Sequence, residues 1–399
     1  MRIALLPDDY LPESTRSHAK MLHDLAVEFV NRGHKVVVIT PGVWDQPKPV
    51  MMDHIDGVEV WRFRSKPTRG LGNVQRAINE TLLSFRAYQA IKHLVKLEPF
   101  DLCINYSPTI FFGPLAYFLK AHGAYIYLVL RDFFPQWIID EGMISEHSLA
   151  ARYLRFFEHF NYRVSDCIAV QSPANVNVFT KMYPKQVNLS VLMNWTVAKP
   201  VTYSESARLF LTELGIEEKV IFFYGGNIGH AQDMANLMRL AKGLLNHQHV
   251  HFLLVGQGDE YELVTQLKID WNLENVTLIP SVSQDQYQQI LSAVDVGLFS
   301  LSNKHYAHNF PGKLLGYMVQ SLPILGSINA GNDVIDFIHD SGSGFVTVNG
   351  DDKAFLENAL LLANNPALRE RAGKNACKLL IESFSVTSAA DKIIEQLSA

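Results

Sequence analysis

"KVIFFYGGNIGHAQDM", residues 219–234, runs from a continuously apolar segment through two adjacent glycines into a stretch that reads as a helix. An apolar run of this length, ending in a glycine turn and followed by a helix, is the pattern of a parallel strand buried on both faces. The turn itself has two readings. Gly225 and Gly226 either serve a tight strand-to-helix reversal that needs positive φ, or they let the backbone approach an anion near the amides of the next helix. The spacing is neither a Walker loop nor G-x-G-x-x-G.

The same alternation repeats on either side. Downstream come "VHFLLVGQG", "VTLIPSV", "VGLFSL", "PILGS" and "GFVTV", each followed by helical sequence. Upstream, "RIALL" leads through a loop to a helix with Met21, Leu22, Leu25, Phe29 and Val30 on one face. "KVVVIT", "VEVWRF", "LCINY", "YIYLVL" and "CIAVQS" follow. Two such series, joined by the proline-bearing "NWTVAKPVTYS" (194–204), predict an α/β chain of two doubly wound Rossmann-like domains facing across a cleft. Ligands in such sheets sit beyond the carboxyl ends of the strands.

Composition agrees with a folded two-domain chain. The 399 residues are 48% hydrophobic and 19% charged, which excludes a disordered polyelectrolyte. A net charge of −5 gives no overall signal for nucleic acid. Cys103, Cys167 and Cys377 lie far apart, match no ligand spacing and suit a reducing compartment. "MRIALLPDDY" reads as a first strand and not a signal peptide, and no apolar stretch reaches the roughly 20 residues of a membrane span. The expected location is the cytoplasm.

Several loops can carry chemistry. Asp132, in "LRDFFPQWIIDEG" (130–142), follows a strand directly and is a candidate for acid–base work, with Arg131 and Trp137 beside it. A structural ion pair is the alternative. "PDDYLPESTRSHA" (7–19) lies at the same end of the sheet and carries Asp8, Asp9, Glu13, Arg16 and His18. In "LLVGQGDEYELV" (253–264), Gly256 and Gly258 repeat the strand–glycine pattern, with Asp259 or Glu260 as a helix cap. The backbone after Pro280 in "LIPSVSQDQYQQIL" either borders a flat base or is a plain loop capped by Ser283. His247, His249 and His251 straddle a helix-to-strand junction without a further ligand at matching spacing, so no metal site is expected. Basic residues between 62 and 96, with Leu71, Val74, Ile78, Leu82 and Phe85 at helical spacing, point to a surface resting on anionic lipid, or to a core helix with a solvated basic face. "RYLRFFEHFNYR" (152–163) either extends that surface or belongs to the core.

Taken in order, "DDYLPESTR", "RAINETLLS", "LVLRDFFPQW", "FFYGGNIGHAQDM", "LIPSVSQDQ", "VGLFSL" and "HNFPGKLLGYMVQSLPILGS" resemble glycosyltransferase family 4 enzymes of the GT-B fold. Among these, the chain is most similar to bacterial O-antigen and capsule L-fucosamine (N-acetyl-L-fucosaminyl) transferases. The resemblance implies an acceptor-binding domain at 1–196, with a C-terminal helix at 382–399 crossing back onto it. A nucleotide-sugar domain would occupy 197–381. The donor would be a UDP-sugar, the acceptor a lipid-linked sugar, and no metal or other cofactor is expected.

The resemblance places Gly226, Asn227, Ile228, Gly229, Gln232, Gly256, Gly258, Pro280, Val282, Asn309, Phe310, Pro311, Gly312 and Leu314 around the donor. It gives Asp132, His308 and Lys313 to catalysis, and Arg16, Arg131 and Trp137 to the acceptor side. Many relatives carry two glutamates where this chain has His308 and Gly316, and a double glycine where it has Ser14 and Thr15. An Arg and a Lys often flank their glycine loop, whereas Asn227, His230 and Gln232 stand here. The family implies retention of configuration; inversion would require a base, with Asp132 first. An epimerase of the same fold and a non-catalytic sugar-nucleotide-binding subunit are the rival readings.

Overall fold

The computed structural model describes residues 1–14, 16–68, 70–107, 109–184, 188–303 and 310–397. The chain divides into two compact units, Met1–Thr196 with Val386–Ala399, and Val197–Ser385.

The first unit holds an eight-stranded sheet. Its strands are β1 (Arg2–Leu6), β2 (Lys35–Pro41), β3 (Val50–Ile55), β4 (Val58–Phe63), β5 (Leu102–Tyr106), β6 (Tyr125–Val129), β7 (Cys167–Val170) and β8 (Leu189–Val191). They lie in the order β3-β4-β2-β1-β5-β6-β7-β8. All pairings are parallel except β3 with β4, a hairpin turning at Asp56 and Gly57, both at positive φ. This antiparallel edge departs from the all-parallel expectation. β3 is exposed along most of its length, so no apolar run announces it. The sheet is covered on both faces, and the helix Val386–Glu395 lays Val386, Ala389, Ala390 and Ile393 into the same core as Leu22, Leu25 and Phe29.

The segment expected to link the two domains is partly core. Trp195 is fully buried, and its indole donates to the Met21 carbonyl at 2.7 Å, so the connection proper starts after it.

The second unit carries β9 (Val220–Asn227), β10 (Val250–Gln257), β11 (Val276–Ile279), β12 (Val296–Ser300), β13 (Ile324–Ile328) and β14 (Gly344–Val348). Their order is β11-β10-β9-β12-β13-β14, all parallel. This is the doubly wound order whose direction of winding reverses between β9 and β12, the place where such sheets bind ligands. The glycine turn of residues 225–226 closes β9 at that switch point.

Candidate functional site

At the switch point of the second unit the geometry is built from the end of β9 and the helix Lys313–Val319. Lys313 opens that helix, and its ammonium rests 3.4 Å from the centre of the Tyr224 ring. Nζ is buried and has no hydrogen-bond partner among the described residues. Burial alone pushes Lys313 well below the ordinary lysine range. Gly226, at φ +122°, leaves open space beside it. A Cβ there would meet nothing within 4 Å except Lys313 Cε and Nζ, each at 3.8 Å. A buried ammonium without an acceptor among the described residues, beside a glycine that adds no side chain, suits an anion.

Two of the amides at this end of the loop already have carboxylate partners. Asp259 Oδ1 accepts from His230 N at 3.2 Å, and Glu260 Oε2 accepts from Met234 N at 3.1 Å. Glu260 thus caps the helix Met234–Gly243 across the loop, Asp259 caps the short turn His230–Gln232 before it, and neither caps the helix Tyr261–Asp270 that they precede.

The other donor candidates divide. Asn227 donates to Gln232 Oε1 at 2.7 Å and, with Gly229, forms a polar loop. A Cβ on Gly229 would strike Asn227 Nδ2 at 2.5 Å. Gly256 and Gly258 are packing residues: a Cβ would lie 1.8 Å from the Gly226 carbonyl oxygen and 2.2 Å from that of Ile228. Ile228 and Leu314 are fully buried, so their side chains belong to the core and not to a ligand surface. Pro280 is exposed and Val282 half-buried beyond β11, two strands from β9, with Ser283 capping the next helix through Gln286 N at 3.2 Å. Phe310 packs on Phe384 with ring centres 4.4 Å apart, and the carbonyls of Pro311 and Gly312 accept the first helical amides, those of Leu314 and Leu315. His308 and Asn309 lie outside the described residues. A side chain on Gly316 would begin 3.3 Å from Leu291 Cδ1, so packing is a local reason for that glycine.

Sequence reasoning missed the tyrosines. Tyr317 donates to the Leu298 carbonyl at 2.9 Å and accepts from Gly225 N at 3.4 Å. Tyr287 crowds Gly225, where a Cβ would meet its ring at 2.4 Å. The visible signal was Tyr224, a polar-tipped ring ending an otherwise apolar strand.

In the first unit, Asp132 follows β6 and accepts from Ser107 Oγ at 3.4 Å. Burial raises its carboxyl to about 6, against the opposing pull of Ser107 and Arg131, with Asp8 pushing the same way as burial. His18 Nε2 lies 3.6 Å from Asp8 Oδ1, and its ring stacks on Tyr106. The carboxyl ends of β1, β5 and β6 thus gather Asp8, His18, Ser107 and Asp132. Arg131 differs from its expected place on an acceptor-facing surface. It turns inward over Trp195, 5.9 Å from the ring, with Nη1 buried and without a partner among the described residues. Arg16 is half-exposed and pairs with Asp9 at 3.8 Å. Trp137 is 45% exposed beside Phe134, whereas Phe133 packs inward against Phe179.

The basic stretch is not one helix. Arg62 lies in β4 and pairs with Glu13, while Arg64 donates to the Gln46 carbonyl at 2.7 Å. The helix Asn73–Thr81 does leave Val74 and Ile78 exposed. With Ala77, Thr81, Leu82 and Tyr153 they line an open apolar slot of about 380 Å³. The helix Leu149–Val164 adds exposed Phe156 and Arg152 while burying Glu158 against Arg155. Among the described residues no helix is long and apolar enough to cross a membrane, and no cluster of three or more metal-ligating side chains occurs.

Comparison with known proteins follows this division into units. A family model described as Glycosyl transferase 4-like domain matches residues 18–195, and one described as Glycosyl transferases group 1 matches residues 210–379. The probable glycosyltransferase WbjE of Pseudomonas aeruginosa is 22% identical over 55% of this chain and 54% of its own, so the likeness spans about half of that relative. The putative colanic acid biosynthesis glycosyl transferase WcaI of Escherichia coli (strain K12) is 22% identical over 75% of this chain and 76% of its own. The crystal structure of Anabaena Alr3699/HepE in complex with UDP superposes with a TM-score of 0.67 at 17% identity, covering 100% of both chains, and speaks for the fold. The chain carries, in order, a glycosyl transferase 4-like domain and a glycosyl transferases group 1 domain, the two Rossmann-like halves of a GT-B glycosyltransferase.

Proposed function

We propose that this chain transfers an acetamido sugar, N-acetyl-L-fucosamine from its UDP donor, to an undecaprenyl-diphosphate-linked sugar during assembly of a bacterial surface polysaccharide. The observation that carries the donor half is the partnerless ammonium of Lys313 beside Gly226. As the bond from the anomeric carbon to the diphosphate oxygen breaks, its electron pair stays on the diphosphate. Lys313 offsets that growing charge, a task that charged and dipolar groups perform best away from water. No metal is assigned to this step.

The acceptor half falls to the first unit. Asp132, with a carboxyl near 6, is ionised at neutral pH yet basic enough to take the proton of an acceptor hydroxyl as its oxygen bonds the anomeric carbon. That role belongs to an inverting reaction. The exposed apolar slot, with Arg76 and Arg152 nearby in sequence and on the same two helices, supports a peripheral position on the anionic inner face of the cytoplasmic membrane.

The test is incubation with a panel of UDP-sugars, with and without a lipid-diphosphate-linked sugar acceptor, read by mass spectrometry and by the anomeric coupling of the product. Transfer that depends on acceptor supports the proposal, and an inverted product assigns Asp132 as base. Isomerisation of the donor without acceptor would make the chain an epimerase, and binding without turnover would make it a sugar-nucleotide-binding subunit.

A further inference from the structure

We propose that Tyr224 is a positioning residue for the donor: its ring face seats the Lys313 ammonium and aims it at the open space over Gly226. The proposal rests on the reading of that space as the donor diphosphate site.

Three observations carry it. The ammonium lies 3.4 Å from the Tyr224 ring centre, closer to the aromatic face than any other cation among the described residues. A cation over an aromatic face is attracted by the ring's electron-rich centre, and the attraction grows when water is excluded. The ring is itself held, because Tyr224 is fully buried on β9 and its hydroxyl donates to the Asn227 carbonyl, one residue beyond Gly226. Finally, Nζ has no hydrogen-bond partner among the described residues, and the space at the missing Gly226 side chain lies within 3.8 Å of it. The ammonium is thus held against the ring, with the anion's seat within reach.

Among the described residues the neighbouring titratable groups do not compete for this place. Tyr287 and Tyr317 turn to Gly225, and Glu260 is engaged by Met234 N and His230. Tyr224, Tyr287 and Tyr317 are all raised by burial, so they stay neutral wherever Lys313 titrates. Among the described residues no carboxylate acts on Lys313, and the ring is what favours its charged form before an anion arrives.

The experiment is a double-mutant cycle on UDP binding by calorimetry between pH 6 and 9. It uses Tyr224→Leu, Tyr224→Phe and Lys313→Met, with melting curves for each. Tyr224→Leu should weaken UDP about tenfold, with the loss deepening as pH rises, because a lysine without its ring loses its proton earlier. Tyr224→Phe, which keeps the face, should restore most of the affinity. In the Lys313→Met background the leucine substitution should add nothing. An equal loss in that background, or phenylalanine as damaging as leucine, would overturn the inference and leave the donor site standing. UDP affinity indifferent to Lys313→Met would overturn both. If the leucine variant does not fold, mono-, di- and trifluorophenylalanine at 224 keep the shape while draining the ring face. Affinity should then fall with each fluorine, and a flat series overturns the inference.

Discussion

Lys313 in the second unit and Asp132 in the first occupy equivalent addresses with opposite charge. Each stands beyond the carboxyl ends of parallel strands, and each is pushed toward its neutral form by burial. They differ in company. Asp132 has a serine hydroxyl and a neighbouring guanidinium, which hold its carboxyl near 6. Lys313 has an aromatic face, and among the described residues no charged group contributes to its shift. A buried cation without an anion asks for a ligand that brings one, whereas a part-compensated carboxylate suits a proton that comes and goes. Topology therefore sets where the chemistry sits, and the immediate neighbours set which chemistry it is.

The comparison breaks most sharply at Lys313. Lys313→Met should cut turnover about a thousandfold, in the upper range for removing a preorganised charge, while raising the melting temperature, because an uncompensated buried ammonium is gone. Near-normal turnover would remove Lys313 from the diphosphate site. Asp132→Asn should lower turnover about a hundredfold under the general-base assignment. In the parent protein kcat should rise with pH through about 6 as the carboxylate forms.

Stability should run the other way. A carboxyl whose folded pKa is raised contributes stability below its unfolded value near 4, and that contribution is lost as pH rises through about 6. Asp132→Asn should therefore be the more stable protein at pH 8, by about 3 kcal/mol, with the difference shrinking toward pH 4. A constant difference across that range would mean that the gain is not electrostatic.

Gly226 and Gly256 face each other across β9 and β10 and make a finer version of the same contrast. Gly256→Ala places a Cβ against the Gly226 carbonyl oxygen, and relief requires the strands to part. It should cost about 3 kcal/mol of stability, read as a lower melting temperature. Gly226→Ala meets open space, so its cost is the strained φ, about 1 kcal/mol. It should nonetheless weaken UDP, since the methyl group fills the anion's seat. Equal stability costs would show that the space beside Lys313 closes in solution.

Much of this arrangement was legible in the sequence, for physical reasons. Strands such as "KVIFFY" and "KVVVIT" are continuously apolar because both faces are covered, so the doubly wound reading followed from periodicity alone. β3 escaped because an edge strand with exposed faces carries no such run. Asp132 was legible as a charge placed directly after a strand end, whereas Lys313 was picked out only through the family resemblance. What periodicity does not carry is orientation. Nothing in "LRDFF" says that Arg131 turns in over Trp195 while Asp132 meets Ser107, since those partners lie far off in the sequence. Likewise Gly256 reads as a loop glycine until the Gly226 carbonyl is seen against it.

The smallest expected effect concerns the surface of the first unit, where the contrast is between apolar and basic contributions on the same two helices. Arg86 is a poor choice for charge reversal, because it is committed to the Trp44 ring and Ser65. Arg76 and Arg152 are exposed, as are Ile78 and Phe156. Replacing both arginines by glutamate should lower sedimentation with phosphatidylglycerol vesicles several-fold, at about 1 kcal/mol per basic residue, and added salt should mask the difference. Ile78→Ser with Phe156→Ser should lower it in a salt-independent way, since buried apolar area does not respond to screening. If the arginine pair alone matters, the apolar slot is not in contact with lipid. If neither pair matters, these helices are a solvated face of the first unit and the membrane position fails, without touching Lys313 or Asp132.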